Sequence, residues 1–88
     1  MNLMIIASCK SSIDFKKNVY DLVKSEFADW CDNEKSVFSI IDEQNVLELF
    51  FDINPVKLKE WLEKPSTQEI VKKHNFVPKR YSFEPLEI

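Results

Sequence analysis

The chain has 88 residues, a net charge of −3, 31% charged and 44% apolar residues, and no glycine. That length makes one domain with one core, read here as spanning 1–88. The charge excludes a nucleic-acid surface, because Lys72-Lys73-His74 and Lys79-Arg80 are too short to supply the basic stripe that phosphates demand. The missing glycine excludes the phosphate-cradling loops of P-loop and Rossmann sites, whose close backbone approach depends on it.

A first period-two run covers 3–9 and predicts a strand. Its apolar start is too short for a signal peptide or a membrane span. Ser11 and Asp14 then resemble a capping box with Asp for Glu, which places a helix start at Ser11 or Ser12. Phe15, Val19, Leu22, Val23, Phe27 and Trp30 recur at spacings of three and four and predict one apolar helical stripe. The polar run 32–36 closes it. Alternation over 37–41 and 46–53, around Asp42-Glu43-Gln44-Asn45, reads as a hairpin.

Asn54-Pro55 starts a second helix, with Asn as cap and Pro at the first position. Leu58, Trp61 and Leu62 face inward. Pro65 interrupts the helix, and Ser66 to Glu69 supplies a full capping box that restarts it. Asn75 suits a left-handed stop, and Asn33 and Asn45 are the other positions expected to take positive φ where glycine would ordinarily serve. A last alternating run begins near Lys79. The order β-α-β-β-α-β predicts a ferredoxin-like α+β fold, an antiparallel sheet with its helices on one face.

Two helices cover one face of four strands. The other face is expected to carry Met4, Ile6, Phe38, Ile40, Val46 and Phe50, an apolar surface larger than a soluble monomer comfortably exposes. The alternative is a monomer whose second face is only mildly apolar because Glu48, Asp52 and Ser8 break it up. A second copy is the simplest cover, so the expectation is a homodimer.

Element order, length, the stretch Phe50-Phe51-Asp52-Ile53-Asn54, the stretch Trp61-Leu62-Glu63-Lys64-Pro65-Ser66 and the helix opening Ile13-Asp14-Phe15 resemble the dimeric α+β barrel superfamily. That group includes antibiotic-biosynthesis-type monooxygenases. The resemblance implies two sheets packed face to face in a homodimer. One branch degrades haem through an Asn on strand 1, a Trp and a His. Trp61 matches the Trp, but Val71 falls where the His would be, with His74 three residues later, and Ala7 or Ser8 takes the Asn position.

Trp30 and Trp61 are candidates to line a pocket, with His74 as a group that titrates near neutrality and Tyr81 as a hydroxyl donor. His74 follows two lysines near a helix end, where a cation is favoured by the dipole. Cys9 and Cys31 lie in different elements and read as reduced, small apolar residues in a cytoplasmic protein. Asp42 and Glu43 are solvated turn acids. No cluster has metal-ligand spacing, and neither metal nor cofactor is implied. Two functions are open: a homodimeric barrel binding a small apolar or aromatic ligand, or a cofactor-independent monooxygenase or isomerase acting on a small aromatic compound.

Overall fold

The computed structural model describes residues 1–87. Strands β1 (Asn2–Ser8), β2 (Val37–Asp42), β3 (Asn45–Phe50) and β4 (Val77–Phe83) form one sheet in the order β2-β3-β1-β4. Every neighbouring pair is antiparallel. The helical connections join β1 to β2 and β3 to β4, each passing over an intervening strand, which is the ferredoxin-like arrangement.

The first helical run, 12–29, is capped as expected: the Ser11 hydroxyl accepts from the Asp14 amide at 3.3 Å. It is not one regular helix. An opening turn, Ser12–Phe15, passes into a π turn, Lys16–Tyr20, then a short α segment, Asp21–Val23, and a 3₁₀ stretch, Lys24–Asp29. A π turn holds one residue more than an α turn and so rotates the downstream side chains about the helix axis. Val19 and Tyr20 are therefore both buried, whereas Leu22, expected in the stripe, is 70% exposed.

Asn54 caps the Pro55–Glu63 helix through the Lys57 amide at 3.2 Å. The restart comes earlier than the Ser66 box predicts. Lys64 is the cap residue and Pro65 is already the first residue of the Pro65–Lys73 helix, because proline needs no amide partner and is preset for that position. Asn75 adopts positive φ as expected, but the second such residue is Asp52. Asn33 lies in a 3₁₀ turn and Asn45 begins β3.

Buried Ser12 ties the helix start to the β2–β3 turn. Its hydroxyl is directed at the Asp42 and Asn45 carbonyls, and its amide donates to the Glu43 carbonyl at 2.8 Å. At the opposite end the Asp32 amide donates to the Phe51 carbonyl at 2.8 Å and the Asn54 amide to the Trp30 carbonyl at 2.7 Å. Both ends of the first helical run are thus held to the β2–β3 hairpin and its continuation.

The strand register decides which side chains lie under the helices. Ile5 pairs with Glu48, Ala7 with Val46 and Leu3 with Phe50. On β2, Phe38 pairs with Glu48 and Ile40 with Val46. All share the helix-covered face, since paired residues point the same way. The expected open face is corrected accordingly. Met4 and Ile6 belong to it, but Val46 and Phe50 are 0% and 2% exposed in the core, Phe38 packs against that core, and Ile40 shares their face. Their places are taken by Leu47 and Leu49, with Val37 opposite Leu49 and Tyr81 opposite Met4.

The rotation imposed by the π turn has a measurable consequence. Leu22→Ser should leave stability within about 0.5 kcal/mol, whereas Phe27→Ala, in the core, should cost about 3–5 kcal/mol. Chemical denaturation of both variants checks this. Comparable losses would restore Leu22 to the buried stripe.

Candidate functional site

Between helices and sheet lies a cavity of about 340 Å³. Its floor is the covered sheet face: Leu3, Ile5, Glu48 and Phe50, with Pro78 and Arg80 from β4. The first helical run contributes Phe15, Val19, Tyr20, Val23 and Phe27 to the wall, with Trp30 just past its end. Leu58, Trp61 and Leu62 from the Pro55–Glu63 helix, Thr67, Gln68, Ile70 and Val71 from the Pro65–Lys73 helix, and Phe76 just before β4 complete it. Gln68 and Arg80 are exposed, which marks the side where the cavity reaches solvent.

An aromatic cluster holds this space open. Phe27 sits edge-to-face on Phe50 and Trp61, with ring centroids 5.3 and 5.5 Å apart, and Trp30 packs at 4.9 Å from Phe50 and 5.6 Å from Trp61. Rigid rings meeting at steep angles pack well yet leave gaps that flexible aliphatic chains would fill. The Trp61 indole donates to the Glu26 carboxylate at 3.1 Å, linking the two helical connections. Among the described residues the buried Trp30 indole N–H has no hydrogen-bond partner. The Tyr20 hydroxyl is 3.0 Å from the Ser36 hydroxyl, and burial raises its pKa.

Glu48 is the one acidic side chain on the cavity floor and is only 5% exposed. The ion pairs among the described residues join Lys16 to Asp21 and Lys35 to Asp32 and Asp52, and none includes Glu48. Burial therefore acts unopposed and pushes the Glu48 carboxyl up to about 8, since an apolar surrounding disfavours the charged form. Arg80 shares its face, but Ile5 stands between them in the register. That separation spans two strand spacings, about 10 Å.

The structure brings Trp30 and Trp61 together in the cavity wall and leaves the other two expected pocket residues out. His74 is half-buried at the end of its helix, edge-on to Phe15 at 5.9 Å, and does not line the cavity. Tyr81 points to the uncovered sheet face, opposite Met4, and is 45% exposed. The strand period places its neighbour Arg80 on the cavity side instead. Glu48 was missed as a site residue. Its signal was parity: it lies between Val46 and Phe50 on one face, opposite Ile5, but which face the helices cover is not written in β3 alone.

The remaining candidates are inert. Cys9 is buried and its thiol pKa is raised chiefly by that burial, and burial pushes the Cys31 thiol up to about 11. Both stay protonated and are poor nucleophiles. Asp42 is exposed in the hairpin turn, where hydrogen bonds from the Gln44 amide and the Asn45 side chain hold its carboxyl below the usual range. Among the described residues no group of three or more His, Cys, Asp or Glu could hold a metal ion, and no helix is long and apolar enough to cross a membrane.

No protein-family model and no curated protein sequence matches the chain. The fold is found in a crystal structure described as that of a candidate antibiotic biosynthesis monooxygenase from Deinococcus radiodurans. The two superpose with a TM-score of 0.64 at 14% identity, over 100% of this chain and 95% of the other. At that identity the likeness establishes a shared ferredoxin-like fold.

Burying Glu48 makes stability depend on pH with a defined sign. Its pKa rises from 4.5 toward about 8 on folding, so between those values the native state binds more protons than the unfolded one. Stability from this group is therefore full below pH 4.5, falls as pH rises, and levels off above about 8, a loss of a few kcal/mol. Glu48→Gln should flatten this slope and match or exceed the parent above pH 8. Urea unfolding at pH 5 and pH 8.5 checks it. A parent chain with the same Glu48 contribution at both values would contradict the burial argument.

Proposed function

We propose that this chain is a homodimeric α+β barrel protein that binds a small apolar or aromatic molecule in the cavity between its helices and its sheet. The cavity carries the reading. Small-molecule sites occupy about 300–1,000 Å³, are mostly apolar, and hold few, well-placed polar groups. The volume here is about 340 Å³, the walls are aromatic, and Glu48, Thr67 and Arg80 are among the few polar side chains that reach it. That size suits a planar molecule of one or two fused rings.

The dimer reading rests on the uncovered sheet face. Met4, Ile6, Leu47, Leu49, Val37 and Tyr81 meet there by register. A second copy offers a self-complementary cover. The occupant is the same chain because the face is apolar across adjacent strands, and among the described residues no further helix or strand lies on it. The second reading, a cofactor-independent monooxygenase or isomerase acting on a small aromatic compound, is supported on its monooxygenase side by the description of the structural neighbour and in general by a buried carboxyl inside an aromatic cavity.

Calorimetric titration with naphthol tests the cavity. Saturable binding between roughly ten micromolar and millimolar is expected, with a negative heat-capacity change from apolar burial. Val71→Phe, which fills the wall, should abolish it. Binding unaffected by that change, or no binding to the parent, would overturn the reading. Light scattering tests the assembly: twice the chain mass of 10.4 kDa is expected, and Leu47→Lys should give single chains. A parent that stays single at tens of micromolar would overturn the dimer.

A further inference from the structure

We propose that Glu48 is a general base of the cavity, removing a proton from a weakly acidic C–H of a small uncharged aromatic ligand and returning it at another position. This rests on the cavity being a ligand site. The substrate class is an aryl carbon acid, such as an aromatic or ring-fused ketone. The net reaction is an isomerisation by proton shift.

The step balances without an oxidant or reductant. The ligand C–H bond breaks and a new O–H bond forms on the Glu48 carboxylate. The electron pair left on carbon is delocalised into the ligand as an enolate-like anion. The same carboxylic acid then gives the proton back at the far end of the delocalised system.

Three observations meet at this position. Glu48 lies on the cavity floor at 5% exposure, held by β-pairing on both sides, to Ile5 on β1 and Phe38 on β2. A central strand fixes its backbone more tightly than a loop would. Its carboxyl has no ion pair among the described residues. A native protein keeps such a group against a sizeable desolvation cost, which marks a functional site. Aromatic walls from Phe27, Trp30 and Trp61 would present a flat ligand to it.

The charged and titratable groups on the surrounding elements leave the base free to act. From the first helical run come Tyr20, bonded to Ser36, Lys24, which lies 5.8 Å over the Tyr20 ring, and Glu26, engaged by Trp61. Beyond the end of β1 lies the buried thiol of Cys9, and β4 supplies Arg80 at the mouth. The Pro65–Lys73 helix presents uncharged Thr67 and Gln68, with His74 screened behind Phe15. Among the described residues no cation pairs with Glu48 to pin it in its charged form. Desolvation alone raises its pKa to about 8, close to the working pH at which a general base is most effective.

A nitrobenzisoxazole is the probe. It is a flat uncharged carbon acid; removal of its ring C–H forms a nitrile, breaks the N–O bond and releases a coloured phenolate. The parent chain should open it at least about 10²-fold faster than an equal concentration of acetate. The rate should rise with pH and reach half its maximum near pH 8. Glu48→Gln, which keeps shape and relieves buried charge, should bring the rate to background while still binding the probe by calorimetry. Glu48→Asp should keep the pH profile at a lower rate.

Probe binding without turnover in the parent, or turnover that survives Glu48→Gln, overturns the base and leaves the ligand site standing. Failure of both naphthol and the probe to bind overturns the two readings together.

Discussion

The antiparallel register of β1 against β3 is the constraint on which this molecule depends. Pairing Ile5 with Glu48 puts Leu3, Ala7, Val46 and Phe50 on one side, and Met4, Ile6, Leu47 and Leu49 on the other. A slip of one residue would exchange the two sets. Leucines would then lie under the helices and Glu48 would be wet. The cavity's chemistry, and the composition of the free sheet face, are both consequences of that single choice.

The register is locked at its ends rather than along its length. Ser12 binds the hairpin turn at one end of the first helical run, and the Asp32 and Asn54 amides bind across to Phe51 and Trp30 at the other. Between these anchors the run need not be regular. Its π turn lets Val19 and Tyr20 both reach inward and throws Leu22 out. The rings it delivers pack on one another, on Phe38 and Phe50 of the sheet, and on Trp61. A void beneath rigid rings and an acid at its floor are two departures from an ordinary core. Natural chains concentrate such departures where function needs them.

How far the residues themselves spoke varies by element. Ser11, Asn54 and Asn75 were legible as cap, cap and stop because each acts within a few residues of itself. Pro65 was legible as a break, though not as the first residue of its own helix. Trp30 and Trp61 were legible as inward-facing aromatics from type and stripe, and both line the cavity. His74 and Tyr81 were drawn toward the same pocket by their chemistry alone. Half a period of β4 separates Tyr81 from the cavity, and Phe15 stands between it and His74.

Sequence alone determined the element order, the ferredoxin-like class, the absence of a phosphate loop and the existence of two apolar sheet faces, because periodicity, capping and composition are local properties. Only the tertiary structure decided which face the helices cover, that Glu48 rather than His74 lies in the cavity, and that Leu22 faces water. Those outcomes turn on strand parity across β1 and β3 and on one extra residue in a helical turn, and both are settled by packing between segments distant in the chain.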